Sequence, residues 1–340
     1  MPAANVSESE RLARLAGRRV GPYLSHNPVS ATQIWQWCAA MGDRNPSYLP
    51  GDGQIAPPAM MQMWTMRDIN DRYAPGSTAA PPYQVFDDLK DMGYPANVAV
   101  SYEISFLRYL RPGERALHYS SVVNISGKKT TALGAGYFVT ERVEYLTGRD
   151  NPFAEALITY FQYQPATVDA TREAGTAEAR DKSAATGVRT SQVRDGWRPD
   201  FRDIRVSDVR VGDRLPALVI PVSHKLIVAG AIATQDFIPV HHSVPAARAA
   251  GMPDIFMNIL TTSGLSARYL SDWAGAGSRL RQLSFTLKAP NLPGDTMVME
   301  GTVTAVEQDA SGGLVTVAFS GRNGLGIHTS GAAALLLPGM

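Results

Sequence analysis

Residues 233–242 read ATQDFIPVHH and are followed, after a short gap, by GMPDIFMNILTTSGLSARYLSDWAG at residues 251–275. In the first part, Asp236 precedes His241 by five positions. The second part is apolar on several sides, with small residues interspersed, from about Ile255 onward. This pattern predicts a helix that is buried closely against a curved sheet. The Asp and His then lie on the loop that leads into a buried helix.

Alternating strands follow the predicted helix. Residues 278–308 read SRLRQLSFTLKAPNLPGDTMVMEGTVTAVEQ, with the turn signal Leu-Pro-Gly-Asp at 292–295. Two further strands, LVTVAFSGRN at 314–323 and IHTSGAAALLL at 327–337, complete the pattern. Alternation of apolar and polar residues between turn signals predicts a meander of long antiparallel strands.

The first half of the chain repeats the same order of landmarks. Asp43 and Tyr48 stand at the spacing of Asp236 and His241, and an apolar segment, IAPPAMMQMWTMRDI at 55–69, follows them. This segment is predicted to be the buried helix of the first half. Its Met-rich stripe is predicted to pack in the core. The stripe consists of Met60, Met61, Met63, Trp64 and Met66.

A segment with the composition of a linker separates the two halves. Residues 167–198 are rich in Ala, Thr, Gly and both signs of charge, and they almost lack large apolar residues. The sequence thus predicts a first domain at 1–166 and a second at 199–340. Each domain has one helix wrapped by an antiparallel sheet, which is an α+β fold of the hotdog type, and the two domains form a pseudo-dimer.

The first half also carries an insertion after its predicted helix. Residues 72–95, RYAPGSTAAPPYQVFDDLKDMGYP, form a Pro- and Gly-punctuated segment that has no counterpart in the second half. Long loops in compact domains are often functional. Trp64, Tyr83 and Phe86 are therefore predicted to line a wide apolar cavity that binds a bulky acyl group.

Composition excludes several classes of function. The chain of 340 residues has a net charge of +1, which gives no electrostatic reason to expect a nucleic-acid or membrane-surface partner. No charged-then-apolar leader and no apolar run of membrane-spanning length is present, so a cytoplasmic protein is expected. The single cysteine, Cys38, rules out a disulfide within the chain and argues against a cysteine-based metal site. Neither a metal nor a cofactor is expected.

A carboxylate and an imidazole that converge on one pocket suit the addition or removal of water next to a carbonyl group. One of them takes a proton from water while its partner holds or returns it. The enolate oxygen that develops needs a hydrogen-bond donor. Backbone N–H groups near Met257 and Asn258, where the helix begins, are the candidates.

The segment Asp-x-x-x-x-His before a central helix resembles the hydratase motif of the MaoC-like (R)-specific enoyl-CoA hydratases. Residues 251–275 and GRNGLGIHTSG at 321–331 resemble the catalytic subunit of actinobacterial hydratases that act on steroid side-chain acyl-CoAs. The first half resembles the partner subunit of those complexes. The segments that carry this second resemblance are GDRNPSYL (42–49), APPAMMQMWTMRDIN (56–70), FDDLKDMGYPANVAVSYE (86–103) and RYLRPGERALHY (108–119).

The resemblance implies two hydratase subunits fused into one chain, with Asp236 and His241 as catalytic residues and an acyl-CoA as substrate. It places Asn258 where the family usually has a glycine whose N–H faces the thioester oxygen. Because the separate subunits assemble as two of each, a homodimer of the fused chain is expected. In the first half the histidine position is occupied by Tyr48. Since a phenol with an ordinary pKa near 10 is a poor base at neutral pH, that half is predicted to be catalytically silent.

Other interpretations of the sequence stay open. Arg322 and Asn323 could contact the phosphates of CoA, although a solvated arginine at a strand end is also an ordinary feature. A hotdog protein could instead hydrolyse the thioester, with water attacking the carbonyl carbon. A third alternative is a non-catalytic acyl-CoA-binding subunit, against which the retention of both Asp236 and His241 argues.

Overall fold

The structure is a computed structural model that describes residues 12, 14, 16–131, 133–165, 197–309 and 312–339. Apart from Trp197 and Arg198, the predicted linker at 167–198 lies outside the described residues. The domain limits 1–166 and 199–340 therefore remain a prediction.

The described residues form five α-helices, eleven strands and several one-turn 3-10 helices. The helices are α1 (Ala31–Met41), α2 (Gln84–Asp91), α3 (His224–Ala233), α4 (Val244–Ala249) and α5 (Ile259–Ala274). The strands of the first half are β1 (Arg19–Leu24), β2 (Ala96–Phe106), β3 (Leu117–Ile125), β4 (Lys129–Thr131), β5 (Gly134–Leu146) and β6 (Pro152–Pro165). Those of the second half are β7 (Arg214–Pro221), β8 (Arg279–Leu287), β9 (Thr296–Asp309), β10 (Gly312–Asn323) and β11 (Gly326–Pro338). The meanders predicted from the alternating sequence are confirmed.

All the strands belong to one antiparallel sheet. Its order is β1-β3-β5-β6-β2-β8-β11-β10-β9-β7, and β4 pairs with β5 outside this path. The first half thus forms one end of the sheet and the second half forms the other. This arrangement is the pseudo-dimer predicted from the repeated sequence.

The two halves join where β2 pairs with β8. Tyr102 lies opposite Phe285 in this ladder. Beyond the ladder, the Leu280 N–H donates a 2.6 Å hydrogen bond to the hydroxyl of Tyr109. Arg281 donates from Nη1 to the Leu107 carbonyl at 2.9 Å. The junction is therefore made by backbone pairing and by side chains from both halves.

Helix α5 is the central helix of the second half. Asn258 caps its N-terminus and accepts a hydrogen bond from the Thr261 N–H, and most of its 16 residues are buried. Glycines allow the neighbouring helices to pack closely against α5. A Cβ at Gly230 of α3 would overlap the Thr261 side chain. A Cβ at Gly264 would likewise meet Trp37 of α1. The predicted buried helix is confirmed, but it begins at Ile259 rather than near Ile255, which lies in the preceding loop.

The first half has no comparable central helix among its described residues, and the prediction of one at 55–69 is wrong. Two 3-10 helices, Pro58–Met60 and Met63–Thr65, stand there instead, and Met66 is extended. Beyond these turns, Oδ1 of Asp68 accepts the N–H groups of Asn70 and Arg72 at 2.8 and 3.0 Å, so the chain does not continue as a helix after the segment. A side chain that takes backbone donors in this way favours a turn over a continued helix.

The Met-rich stripe nevertheless packs as predicted, since Met60, Met61, Met63 and Trp64 are all buried in the main core cluster. The insertion at 72–95 is not all loop, because it contains α2. Val85 and Leu89 are the buried residues of this helix, and they lie in a second, smaller core cluster with Tyr137 and Val139 of β5. The insertion is thus packed against the first-half sheet.

Candidate functional site

The end of α3 positions Asp236. The Thr234 hydroxyl donates to the Gly230 carbonyl at 2.8 Å, and Gln235 adopts a positive φ of 54°. The Asp236 N–H then bonds back to the Ala231 carbonyl at 2.9 Å. Positive φ is uncommon for residues other than glycine, so this left-handed turn is a specific local feature. It directs the chain so that the Asp236 side chain is buried, with 7% of the residue exposed.

A short 3-10 helix, Pro239–His241, positions the imidazole. His241 is 6% exposed, and its Nδ1 lies 2.8 Å from the carbonyl oxygen of Phe256. Since a carbonyl oxygen can only accept a hydrogen bond, Nδ1 carries a proton and donates the hydrogen bond to Phe256. In the neutral ring, Nε2 then has a free lone pair. This nitrogen lies 3.5 Å from Oδ2 of Asp236, so the structure brings together the two residues that the sequence predicts as catalytic.

Asn258 connects the start of α5 to this pair. Its Nδ2 donates to Oδ2 of Asp236 and to the Thr234 hydroxyl, both at 2.9 Å. Its Oδ1 accepts from the Thr261 N–H at 2.7 Å. The side chain therefore caps the helix and orients the carboxylate at the same time. Sequence reasoning missed this orienting contact, although the preference for asparagine at helix N-caps could have indicated the capping part.

One carboxylate oxygen is left over. Oδ1 of Asp236 is buried and accepts no hydrogen bond from the described residues. A buried carboxylate oxygen without a donor is costly unless a water or ligand supplies one. Together with Nε2 of His241, it offers two acceptors, and the two hydrogens of one water molecule could satisfy both.

The donors available for an enolate oxygen differ from those expected. The N–H of Met257 donates to the Asn291 carbonyl at 3.1 Å, and Thr261 is engaged by the cap. The first N–H groups of a helix have no partner within the helix. Those of Ile259 and Leu260, in the first turn of α5, are therefore the better placed candidates.

Two other histidines near these elements make different contacts. His328 lies on β11, where Nδ1 donates to the Ala289 carbonyl at 2.7 Å and Nε2 accepts from Thr262 at 2.9 Å. Burial lowers the pKa of His328 below its ordinary value, so the ring is held neutral. His242 is exposed and lies 3.1 Å from the Phe237 carbonyl. Its position fits the prediction that His241, and not its neighbour, faces the site.

The counterpart in the first half is closed by helix α5. Tyr48 is buried against Asp43 and Ser271, and burial together with the charge of Asp43 raises its pKa well above the ordinary value. Burial also raises the pKa of Asp43, opposed by the Asn45 N–H and by the charge of Arg268. A phenol that resists ionisation cannot act as a base near neutral pH.

The residues predicted to line one wide apolar cavity are distributed differently. Trp64 lines a small cavity with Pro57, Met61 and aromatic residues, whereas Tyr83 lines a separate one with polar residues. Phe86 lines neither and instead packs edge-to-face on Tyr160, with ring centroids 5.0 Å apart. Each cavity has room for roughly one water molecule. In this conformation the side chains close upon one another, and the wide apolar cavity stays a prediction.

Arg322 and Asn323, the residues predicted to contact CoA, end strand β10. Arg322 is exposed. The amide of Asn323 donates to the Pro290 carbonyl and to Oδ1 of Asn291, each at 2.8 Å. Its Oδ1 accepts from the Leu325 N–H at 2.9 Å. Asn323 thus holds the hairpin together, while Arg322 stays a candidate for phosphate contact.

Within the described ranges, no helix is both long and apolar enough to span a membrane. In the same part of the chain, no three His, Cys, Asp or Glu side chains converge in a way that could hold a metal ion.

Comparison with known proteins identifies the family of this chain. The family model described as MaoC like domain matches residues 210–320. The beta subunit of 3-oxo-4,17-pregnadiene-20-carboxyl-CoA hydratase from Mycobacterium tuberculosis is 42% identical over 125 residues, which cover 37% of this chain and 94% of that subunit. The alpha subunit of the same enzyme is 34% identical over 153 residues, covering 43% of this chain and 48% of that subunit. The chain therefore spans about half the length of that alpha subunit.

A solved structure described as a MaoC-like dehydratase shares the fold. Its TM-score is 0.67 at 17% identity, over 97% of this chain and 100% of the other. The chain thus has the double hotdog fold, and it belongs to the MaoC-like family of hydro-lyases. Matches to both subunits of one hydratase support the fusion of two subunits that the sequence predicts.

Proposed function

We propose that this chain adds water to a bulky trans-2-enoyl-CoA, of the steroid side-chain type, and forms a 3-hydroxyacyl-CoA. The observation that carries the proposal is the pair of free acceptors, Oδ1 of Asp236 and Nε2 of His241, beside the start of α5. The named activity of the two M. tuberculosis relatives points to the same reaction.

In the proposed reaction, one water molecule donates its two hydrogens to Asp236 and His241. As the water oxygen attacks C3, one of these acceptors takes a proton, and electron density moves to the thioester oxygen as an enolate. The Ile259 and Leu260 N–H groups, at the positive end of α5, stabilise that oxygen. The residue that took the proton then delivers it to C2, and the enolate returns to the thioester. The sum is one water added, with OH on C3 and H on C2, and no cofactor beyond the CoA of the substrate takes part.

Asn258 prepares the carboxylate for this step. Its two hydrogen bonds hold Oδ2 and the neighbouring hydroxyl, which leaves Oδ1 as the oxygen that meets water. Preorganised polar groups in a buried site cost little reorganisation when the reaction occurs. The pair thus functions as one unit supported by the helix cap.

The proposed bulky substrate rests on the relatives' names and on the first half of the chain. There, two one-turn helices stand in the segment predicted as a central helix, and the insertion at 72–95 follows them. Short helices, methionines and aromatic rings can rearrange more readily than a long packed helix. Binding of a fused-ring group would bury apolar surface, which contributes roughly 25 cal/mol of binding free energy per Å².

One assay tests the reaction. Purified protein is mixed with a steroid-type enoyl-CoA, and both the enoyl absorbance and the release of free CoA are followed. Loss of the enoyl absorbance without release of CoA is expected. Release of CoA would instead indicate a thioesterase, and no change with any enoyl-CoA would leave a binding subunit.

For the assembly, a homodimer is proposed. Strands β1 and β7 are the two ends of the described sheet, and exposed edge strands are commonly covered in proteins. Two fused chains would also match the two-of-each assembly that the resemblance implies. Sedimentation at micromolar concentration should give the mass of two chains, and a monomer there would contradict the proposal.

A further inference from the structure

One peptide group in the segment before α5 is held from two sides. The carbonyl of Phe256 accepts the hydrogen bond from Nδ1 of His241 at 2.8 Å. The N–H of the same peptide group, which belongs to Met257, donates to the Asn291 carbonyl at 3.1 Å. This peptide bond is trans, so its C=O and N–H lie in one plane and point in opposite directions. The bond at Asn291 therefore fixes the direction in which the carbonyl faces His241.

This peptide group affects the chemical state of His241 as well as its position. Hydrogen bonds in series polarise one another, so a peptide group whose N–H is bonded offers a stronger carbonyl acceptor. The Phe256 carbonyl keeps the single proton of the neutral imidazole on Nδ1. Nε2 is then left as the acceptor, 3.5 Å from Oδ2 of Asp236. The tautomer that can receive a proton from water thus depends on the peptide group.

The Asn291 carbonyl belongs to a loop that is fixed by its neighbours. Three successive carbonyls of the loop between β8 and β9, those of Ala289, Pro290 and Asn291, each accept a hydrogen bond. The donor to Ala289 is Nδ1 of His328 on β11, at 2.7 Å. The donor to Pro290 is the amide of Asn323 at the end of β10, at 2.8 Å. The third donor is the peptide N–H described above, so two strands and the segment before α5 meet at this loop.

The side chain of Asn291 adds to this anchoring. It is 0% exposed, which is unusual for asparagine. Its Oδ1 accepts from Nδ2 of Asn323 at 2.8 Å, while its Nδ2 contacts the sulfur atoms of Met257 at 3.5 Å and Met297 at 3.2 Å. Without Asn323, this buried oxygen would lose its donor, which is costly. The pair of amides therefore holds the loop where its carbonyl meets the Met257 N–H.

The anchored segment contacts both members of the catalytic pair. Within residues 256–258, Phe256 holds His241, and Asn258 holds Oδ2 of Asp236 at 2.9 Å. Met257, between them, is the residue bonded to the loop. A shift of the loop would therefore change the orientation of the imidazole at once, and that of the carboxylate through the next residue.

We propose that Asn291 and Asn323 are positioning residues, which orient His241 for the addition of water through the peptide group between Phe256 and Met257. The inference rests on the enoyl-CoA hydratase function proposed above and deepens it. The two asparagines orient the base and take no part in the proton transfers themselves. Asn323 is thereby given a role other than contact with the phosphates of CoA.

Kinetics of two variants provide the first test. Asn323→Ala removes the amide that donates to the loop. Asn323→Ser also lacks the amide but can still accept from the Leu325 N–H, as the native side chain does. In both, kcat for a steroid-type enoyl-CoA is expected to fall about tenfold with KM within about twofold of the wild type, since orientation and not binding is lost.

Asn97→Ala is the matched control for these variants. Asn97 lies on β2 in the first half, where its Nδ2 donates to Oε1 of Gln162 at 2.6 Å. The control thus also breaks a hydrogen bond between two side-chain amides, but at a place that does not contact residues 256–258. Its kcat should stay at the wild-type value.

A second measurement reports on His241 without any turnover. Nitrogen-15 spectra of histidine-labelled protein distinguish the two neutral tautomers of imidazole, and the signal that is lost in His241→Ala assigns the ring. The wild type and Asn97→Ala should show His241 with its proton on Nδ1 alone. Both Asn323 variants should show a mixture of tautomers, because the Phe256 carbonyl is no longer fixed. A side chain that only stabilised the hairpin would leave the tautomer unchanged.

The inference is overturned if His241 keeps its proton on Nδ1 in both Asn323 variants, or if their kcat equals that of Asn97→Ala. A rise in KM at unchanged kcat would also refute it and would return Asn323 to the CoA-binding residues. If Asn323→Ala does not fold, Asn323→Ser alone decides. If the wild type hydrates no enoyl-CoA, the proposed function fails, and the spectra still decide whether the peptide group orients His241.

Discussion

Nδ2 of Asn258 lies 2.9 Å from Oδ2 of Asp236, so the residue that caps α5 also holds the catalytic carboxylate. Through this contact, the position of the carboxylate depends on the N-cap of the helix. Loss of the cap would both weaken the helix and release the carboxylate from its position.

Asn258→Ala is therefore expected to lower kcat by about 10- to 100-fold, with a smaller effect on KM, since it removes orientation rather than the reacting groups. The free energy of unfolding should fall by about 1 kcal/mol through loss of the N-cap. Steady-state kinetics and urea unfolding measure the two effects. Ser30→Ala is the control, because Ser30 caps α1 by accepting from the Gln33 N–H. It should show the same loss of stability and keep its kcat; an equal fall in kcat would mean that Asn258 acts only through stability.

Asp236→Ala and His241→Ala should each reduce turnover by a factor of about 10² to 10⁴, the usual range for loss of an acid or base. Little stability should be lost, because loop residues at a site contribute little packing. Turnover of an enoyl-CoA and thermal unfolding of both variants provide the measurement. Near-wild-type turnover in either variant would remove the mechanism.

In the first half, Asp43→Ala and Tyr48→Phe are expected to leave the chemical step nearly intact. Tyr48 is buried with a pKa well above its ordinary value, so no base is lost with its hydroxyl. Single-turnover rates isolate the chemical step from binding and release. If either variant loses turnover while CoA binding persists, the halves do not divide their tasks as proposed.

Preference for substrate size should be visible in kcat/KM. A steroid-type enoyl-CoA is expected to be hydrated far more efficiently than crotonyl-CoA, because more apolar surface is buried. Deletion of residues 74–82 should alter the kinetics of the bulky substrate more than those of crotonyl-CoA. This segment is tied to β1 by the Tyr23 hydroxyl, which donates to the Ala80 carbonyl at 2.6 Å. Equal or better efficiency with crotonyl-CoA in the intact protein would refute the bulky substrate and leave the hydratase proposal standing.

Glu141 should make stability depend on pH. Its pKa is raised from 4.5 to about 7 in the folded protein, so between these values the folded state holds a proton that the unfolded chain has released. The free energy of unfolding therefore falls as pH rises through this window and stays lower above it. Glu141→Gln mimics the protonated carboxyl. It should match the wild type near pH 4, below the unfolded pKa, and exceed it at pH 8 by on the order of 3 kcal/mol.

Urea unfolding at the two pH values measures this difference. The same substitution at Glu144 is the control, because Glu144 lies on the same strand but is half-exposed and paired with Arg19. Glu144→Gln should show no comparable gain at pH 8. A constant difference between Glu141→Gln and wild type at both pH values would contradict the shift.

Much of the architecture could be predicted from the residues alone. The strand meanders, the buried helix after His241, the repeat and the Asp236–His241 pair all follow from local pattern and spacing. That Tyr48 stands at the histidine position of the first half is likewise visible in the sequence alone. These features are local, because periodicity and turn residues act over a few positions. The chemistry of a side chain is likewise given by the residue type alone.

Features that depend on contacts between residues far apart in the sequence became visible only in the tertiary structure. The segment at 55–69 has the composition of a buried helix, yet it forms two short 3-10 helices, and Asp68 then accepts the backbone N–H groups of Asn70 and Arg72. The roles of Asn258 and Asn323 emerged only when residues far apart in sequence came within hydrogen-bonding distance. The small polar cavity beside Tyr83 and Glu141 likewise forms between residues that are far apart in the sequence. The sequence determined which groups are available, and long-range packing decided which of them meet, because the contacts depend on the register and closure of the whole sheet.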